Sequence, residues 1–141
     1  MANKILKARG ANGLVIEGYA MVCPNSIQGW SSIDMYTGVI IEKDHIYEGE
    51  SIKGVILVIP CSRGSLGWSD YFCGAAIHGA GPIGFVVTKM DSKVATTVAI
   101  VDVPCVSDFS ADCDPCKEIK TGDYIRVDGN AGTVEILQPK E

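Results

Sequence analysis

Residues 55–79 read VILVIPCSRGSLGWSDYFCGAAIHG, and this stretch decides the predicted fold. The apolar run 55–59 is typical of a strand that is buried on both faces of a sheet. Pro60 ends this strand, because proline has no N–H group to donate to the hydrogen-bond ladder of a sheet. After a small polar loop, Ser69 can cap a helix and Gly79 can end it. The stretch therefore predicts a strand, a loop and a helix in succession.

The loop between this strand and this helix, residues 61–67, is predicted to hold an anion. A glycine-rich loop at the start of a helix presents free backbone N–H groups to negative charge. Arg63 adds a positive charge to the loop, and Ser65 adds a hydroxyl group. A hydrolase nucleophile elbow is excluded because Arg63 stands where that motif needs glycine, and a phosphate loop is excluded because no Gly-Lys-Ser/Thr follows. A tight turn whose glycines only relieve steric strain is the alternative.

Composition and charge favour a soluble globular protein and narrow the range of partners. A length of 141 residues suits one domain, residues 1–141, with a core that needs no disulfides. A net charge of −5 makes nucleic acid and anionic membranes unfavourable partners. The sequence contains neither an apolar run of membrane-spanning length nor the apolar segment of a signal peptide. We therefore expect a cytoplasmic protein.

The six cysteines divide into two groups. Four lie in or beside apolar segments, where cysteine usually acts as a small core residue: Cys23, Cys61, Cys73 and Cys105. The other two, Cys113 and Cys116, form a C-x-x-C pair in a polar stretch. Such a pair can be redox-active, or can contribute to a metal site together with Cys105. We favour a local structural pair, assign no metal ligands, and keep a small metal-binding protein as a weaker alternative.

Two β-hairpins are predicted, one towards each end of the chain. Residues 5–9 and 14–22 are predicted as paired strands, joined by a turn at residues 10–13. Near the other end, apolar residues alternate within residues 122–137 on both sides of a glycine-asparagine turn.

The middle of the chain is predicted to form a β-α-β unit. Residues 82–88 read as a second buried strand, so residues 55–88 make strand, helix and strand. Residues 39–42 are predicted as a short strand, and the β-branched residues 94–103 as another. The whole is an α/β (β-rich) domain with a central β-α-β unit and flanking β-hairpins.

Three segments of the chain occur in the order and spacing of a known family. Residues 29–38, which include Gly-Trp, Asp and Thr-Gly, are similar to a Trp-Gly-Gly-Val-Asp…Thr-Gly loop. Residues 63–65 are similar to an Arg-Gly-Ser-Ser core, and residues 122–129 to a C-terminal hairpin. The chain thereby resembles the small subunit of aconitase X, the swivelling domain of an iron–sulfur hydro-lyase family.

The resemblance implies a swivelling β/β/α fold that closes over a larger partner subunit. It implies that the larger subunit carries the cysteines that bind an iron–sulfur cluster. Ser65 matches the first serine of the family's core and is the expected catalytic base or acid. Its neighbours are the expected substrate-binding residues: Arg63, Gly64, Leu66, Ser31 and Ser32.

The family's activities are dehydrations of small anionic hydroxy acids, cis-3-hydroxy-L-proline and mevalonate 5-phosphate, so either is a candidate substrate. The sequence departs from the family pattern at three positions. Leu66 replaces the second serine of the core, and Ser31 and Ser32 replace two glycines. Leu66 favours the alternative function, a non-catalytic swivelling domain that binds a partner subunit and an anion.

Overall fold

The computed structural model describes residues 3–141 and arranges their strands in one eight-stranded sheet. The strands are β1 (Lys4–Lys7), β2 (Arg9–Asn12), β3 (Val15–Val22), β4 (Ile56–Ile59), β5 (Gly84–Val87), β6 (Cys105–Ser107), β7 (Tyr124–Asp128) and β8 (Thr133–Gln138). The helices are α1 (Trp68–Ile77), α2 (Ser92–Val101) and α3 (Pro115–Glu118). None of these helices, within the described residues, is long and apolar enough to cross a membrane.

The order of strands across the sheet is β1-β8-β7-β3-β4-β5-β6-β2. Strands β3, β4, β5 and β6 are parallel to one another, whereas β7, β8 and β1 pair antiparallel on one side and β2 pairs antiparallel with β6 on the other. The prediction of a β-α-β unit is confirmed, because β4 and β5 are parallel neighbours joined through α1.

Residues of β4 alternate between two hydrophobic cores. Leu57 and Ile59 pack with the apolar faces of α1 and α2, while Ile56 and Val58 pack with β1, β7 and β8. All four are fully buried, which explains the continuous apolar run in the sequence. The helices α1 and α2 therefore cover one face of the parallel strands, and the antiparallel strands of the same sheet cover the other face. This arrangement has three layers, and the predicted β/β/α fold class is confirmed.

Helix α1 begins two residues earlier than the predicted cap requires. Gly67 occupies the N-cap position, so the prediction that Ser69 caps the helix is wrong. The Ser69 hydroxyl instead donates to the carbonyl of Lys93, 2.9 Å away, and ties α1 to α2. The predicted end of the helix is confirmed, since Gly79 follows it with a positive φ of 70°.

The prediction of a strand over residues 94–103 is wrong, because most of this segment belongs to α2. Asp91 caps the helix by accepting hydrogen bonds from the N–H groups of Lys93 and Val94. Val94, Thr97 and Val98 are buried at helical spacing against the first core. Packing on α1 and the sheet therefore overrides the β-propensity of the branched residues, and α2 completes a second β-α-β unit that ends in β6.

The N-terminal hairpin was predicted with the wrong partners. Strand β1 pairs with β8 and β2 pairs with β6, whereas β3 pairs with β7 and β4. The stretch from Lys4 to Asn12 therefore supplies both edges of the sheet. It crosses the β7–β8 turn so closely that a Cβ on Gly10 would lie 2.2 Å from the carbonyl oxygen of Gly129. The C-terminal hairpin was predicted correctly.

The segment between β3 and β4 is irregular. Residues 39–42 do not form the predicted strand and contribute only isolated bridges, from Ile40 to Ile33 and from Val39 to Ser51. The connection from β3 to β4 packs beside the loop that follows β4. It supplies all three residues that accept hydrogen bonds from the Arg63 side chain: Asn25, Gln28 and Glu42.

Candidate active site

Ser65 lies in the loop that connects the carboxyl end of β4 with the start of α1. Its side-chain oxygen Oγ accepts a hydrogen bond from the backbone N–H of Gly67 at 3.0 Å. Its carbonyl oxygen accepts the N–H of Trp68 at 3.1 Å, which fixes the backbone of Ser65 against the helix. Within residues 3–141 the Ser65 hydroxyl has no acceptor for its own proton. This proton is therefore available to a ligand.

The donor to Ser65 Oγ belongs to the N-cap residue of a ten-residue helix. The N-terminus of a helix carries partial positive charge, so it favours negative charge that develops on a nearby oxygen. The indole ring of Trp30 covers Gly67 from outside: a Cβ on Gly67 would lie 2.9 Å from Trp30 Cε3 and 3.4 Å from Ser65 Oγ. Gly67 thus lies between Trp30 and Ser65, and a side chain at this position would require the Trp30 ring to shift.

Arg63 is held by three acceptors. Its Nε donates to the carbonyl of Asn25 at 2.8 Å, Nη1 donates to Gln28 Oε1 at 3.1 Å, and Nη2 donates to Glu42 Oε2 at 2.6 Å. The guanidinium is therefore paired with a carboxylate, and only its remaining N–H groups are available to a ligand. The predicted fixed positive charge of the loop is present, but Glu42 partly neutralises it.

Glu42 joins two parts of the site. Its Oε1 accepts the backbone N–H of Gln28 at 2.7 Å while Oε2 accepts from Arg63. Burial acts to raise the pKa of Glu42, but the Gln28 N–H and the Arg63 guanidinium outweigh it and hold the pKa below its ordinary value. Sequence reasoning missed Glu42 and Gln28, because neither stands in a motif and both reach Arg63 only through the fold.

A second pair of groups holds the loop through the start of α2. Asp91 Oδ2 accepts both the backbone N–H of Ser62 at 2.7 Å and the Ser62 hydroxyl at 2.9 Å. Lys93 Nζ donates to the carbonyl of Gly64 at 2.8 Å. Burial acts to raise the pKa of Asp91, but the hydrogen bonds from Val94, Ser62 and Lys93 outweigh it and lower the pKa. Sequence reasoning missed these residues too, since they stand in no motif and reach the loop only through the fold.

The rim of the loop is apolar and aromatic. Leu66 is 83% exposed and Trp30 is 60% exposed, both close in sequence or space to Ser65. Trp30 meets the ring of Tyr71 edge to face, with ring centroids 5.5 Å apart. Ser31 Oγ lies 3.0 Å from the Tyr71 hydroxyl.

The two predicted substrate-binding serines of this rim point in different directions. Ser31 is exposed, and its φ of 54° is a left-handed conformation that favours glycine, in agreement with the glycine of the family pattern. Ser32 is only 3% exposed, and its hydroxyl donates to the carbonyl of Trp30 at 3.2 Å. Of the two, only Ser31 is open to a ligand.

Comparison with known proteins assigns the chain to a family. A family model described as the aconitase X swivel domain matches residues 5–136. The chain belongs to this family. The phosphomevalonate dehydratase small subunit of Methanocaldococcus jannaschii is 38% identical over 132 residues, which cover 94% of this chain and 97% of that protein. That of Methanosarcina acetivorans is 30% identical and covers 96% of this chain and 92% of its own length.

A solved structure agrees with this assignment. The crystal structure of Thermococcus kodakaraensis aconitase X in its holo-form superposes with a TM-score of 0.86 and 30% sequence identity. The match covers 96% of this chain and 99% of that chain. The resemblance to aconitase X and the swivel fold are thus confirmed, and the named relatives are small subunits of a dehydratase, which is a hydro-lyase.

The relation to aconitase X raises the question of an iron–sulfur cluster. Among residues 3–141, no three His, Cys, Asp or Glu side chains converge to hold a metal ion. Cys23 and Cys105 are fully buried, and burial raises the pKa of each thiol to about 12, although a metal ligand must be the thiolate. The described part of this chain therefore does not fit a cluster, which also argues against the alternative of a small metal-binding protein.

The remaining cysteines differ from one another. Cys61 is exposed, so its prediction as a core residue is wrong, and Cys73 is half-buried. Cys113 precedes α3 and Cys116 lies in its first turn, with Cys116 Sγ 3.9 Å from Thr88 Oγ1. Burial raises the pKa of Cys116 to about 11, and that of Cys113 is raised by burial and by the nearby Glu118 carboxylate. Neither is an activated thiol.

Proposed function

We propose that this chain is the small subunit of a phosphomevalonate dehydratase and that Ser65 is its acid–base residue. The observation that carries the proposal is the hydrogen bond from the Gly67 N–H to Ser65 Oγ at the start of α1. It lies in the segment whose Arg-Gly-Ser sequence resembles the core of the aconitase X family. The names and full-length coverage of the relatives support the choice of reaction.

The role of Ser65 follows from the needs of a dehydration. Water leaves as a proton from one carbon and hydroxide from its neighbour, so a base must accept the proton. A serine hydroxyl is a poor base in water, because its alkoxide forms only at very high pH. A donor that is already aimed at Oγ, such as the Gly67 N–H, lowers the cost of negative charge on this oxygen. The hydroxyl proton must first pass to a base on the large subunit or to solvent, since the described residues of this chain offer it no acceptor. The resulting alkoxide Oγ can then accept the substrate proton, or return it in the reverse direction.

The proposed substrate is mevalonate 5-phosphate, which carries a carboxylate and a phosphate. The loop offers such an anion the partial positive charge at the start of α1, the remaining N–H groups of Arg63 and the exposed Gly64. Exposed Leu66 and Ser31 stand at the rim, where we place contacts with the substrate or the partner. cis-3-Hydroxy-L-proline is the comparison substrate, since it is smaller and has no phosphate.

The large subunit is expected to carry the iron–sulfur cluster, because the described part of this chain provides no ligand set for it. In the proposed complex the cluster would supply Lewis-acid chemistry at the substrate, and this chain would supply the proton acceptor. We further propose that the chain forms a single swivelling domain of a cytoplasmic heterodimer.

The rival function is a non-catalytic swivelling domain that binds a partner and an anion. One observation favours it: Leu66 stands in place of the family serine. Both functions require the large subunit, so co-purification alone does not separate them. Turnover by Ser65 variants does.

The test is coexpression of the chain with the large subunit from the same source, followed by anaerobic purification. We expect a complex that removes one water from mevalonate 5-phosphate, detected by mass spectrometry, while the chain alone is inactive. Turnover of cis-3-hydroxy-L-proline instead would replace the substrate. Dehydratase activity of the chain alone would overturn the two-subunit proposal.

A further inference from the structure

The first turn of α2 contacts the Ser65 loop at two points, on either side of Arg63. We propose that Asp91 and Lys93 are positioning residues that fix Ser65 for proton transfer. The proposal rests on the proposed role of Ser65, and it adds two residues that belong to none of the family-like motifs.

The two carboxylate oxygens of Asp91 accept hydrogen bonds from different segments, one from α2 and the other from the Ser65 loop. Its Oδ1 accepts the N–H groups of Lys93 and Val94, each at 3.0 Å, and so caps α2. Its Oδ2 accepts the N–H and the hydroxyl of Ser62. Ser62 is buried and stands three residues before Ser65. Hydrogen bonds to a carboxylate are shorter and stronger than neutral ones, so Asp91 anchors the start of the loop firmly to α2.

Lys93 holds the peptide that leads directly into Ser65. Its Nζ donates to the carbonyl of Gly64, and this carbonyl belongs to the same peptide plane as the N–H of Ser65. Gly64 has a φ of 83°, a conformation in which glycine is favoured and from which a flexible loop can relax. Lys93 forms no salt bridge with any carboxylate among residues 3–141, so its ammonium group remains committed to the loop.

Placement of this kind matters because proton transfer depends steeply on geometry. A shift of about 1 Å in an acid–base group can cost roughly a hundredfold in rate. The loop contains Gly64 and Gly67 on either side of Ser65, and glycine gives the backbone more conformational freedom than any other residue. The two contacts from α2 restrict this freedom at residues 62 and 64.

Asp91→Asn separates the two roles of Asp91. The amide oxygen can still cap α2, but the NH₂ group then faces the N–H of Ser62, donor against donor. We expect kcat of the reconstituted complex to fall ~10–100-fold, the range found for residues that orient catalytic groups, with KM within about twofold of wild type. Lys93→Met should also lower kcat, but by a smaller factor, since it removes only the hydrogen bond to the carbonyl of Gly64.

Asp114→Asn is the matched control. Asp114 caps α3 by accepting the N–H of Cys116 at 2.9 Å, and it makes no hydrogen bond to the Ser65 loop. This substitution should leave kcat and KM unchanged. A fall in kcat as large as that of Asp91→Asn would show that any altered helix cap suffices, and would overturn the proposal.

A double-mutant cycle with Ser65→Ala distinguishes positioning from a general structural effect. If Asp91 acts through Ser65, Asp91→Asn has no further effect on kcat in the Ser65→Ala complex. An equal fold-loss in both backgrounds would overturn the proposal.

Amide hydrogen exchange of the same complexes measures how firmly the Ser65 loop is held, and this measurement does not depend on enzymatic activity. We expect faster exchange at residues 62–67 in Asp91→Asn and Lys93→Met, and unchanged exchange in Asp114→Asn. Unaltered exchange in both loop variants would overturn the positioning role whatever the substrate. An inactive wild-type complex with a firmly protected loop would instead count against the proposed function.

Discussion

The Ser65 loop and the Cys113–Cys116 segment both lead into a helix and both bring a nucleophilic side chain near its start. At α1 the N-cap is Gly67, which has no side chain to cap the helix, and its own N–H donates to Ser65 Oγ. At α3 the cap is Asp114, whose carboxylate takes the N–H of Cys116. The partial positive charge at the start of α1 favours negative charge on Ser65, whereas burial and, to a lesser extent, the carboxylates around α3 disfavour it on the thiols. The two helix starts thus offer different surroundings to a negatively charged side chain.

Ser65→Ala is the strongest test of this difference. We expect kcat of the reconstituted complex to fall at least ~100-fold, the usual scale for loss of a positioned acid–base group. Stability and partner binding should stay close to wild type, because Ser65 is only half-buried and its hydroxyl contributes little packing. Steady-state kinetics and thermal unfolding measure both. Wild-type turnover in this variant would show that Ser65 has no catalytic role and that the loop is only a structural turn.

Arg63→Lys has a smaller expected effect. Lysine keeps the charge next to Glu42 but lacks the planar fork that also reaches Asn25 and Gln28. We expect kcat to fall and KM to rise together, each by roughly tenfold or less, about the effect of one lost charge-assisted hydrogen bond. Steady-state kinetics on the complex test this expectation. Unchanged kinetic constants would mean that Arg63 serves neither the substrate nor the loop.

Glu42→Gln should show a change in stability that depends on pH. The pKa of Glu42 is lowered in the folded chain, so its carboxylate stabilises the fold at pH values above the ordinary pKa near 4.5. This stabilisation is lost as pH falls through the lowered pKa. Urea unfolding at neutral pH should show Glu42→Gln less stable by ~1–2 kcal/mol, and the gap should close in acid. A gap that is constant with pH would contradict the assignment of the charge.

The double substitution Cys113→Ser with Cys116→Ser should have the smallest effect. Both thiols have raised pKa values, and the segment shares no hydrogen bond with the Ser65 loop within the described residues. We expect kcat within about twofold of wild type and only a slight loss of stability. If turnover disappears while the circular dichroism spectrum is retained, the two cysteines belong to the site after all.

The sequence predicted the segments whose signal is local. The apolar run 55–59, the glycine that ends α1 and the C-terminal hairpin are confirmed, because each is determined by neighbouring residues. The strand predicted over residues 94–103 is wrong because burial against α1, and not β-propensity, determines the state of this segment.

Only those residues of the candidate site that lie close together in the sequence were predicted. Ser65 and Arg63 were found because they follow a buried strand directly and stand in a recognisable motif. Glu42, Asp91 and Lys93 were not, since each reaches the loop from 21 to 29 residues away. Their contacts exist only once β3, β4 and β5 are aligned, so no local sequence pattern predicts them.

The stretch from Lys4 to Asn12 has a consequence for assembly. Its first half pairs with β8 and its second half with β6, so each edge of the sheet is a strand of only four residues. Short edges give little backbone for another chain to extend the sheet by strand addition. Recognition of a partner is therefore favoured through side chains and loops, among which Trp30 and Leu66 expose large apolar surfaces.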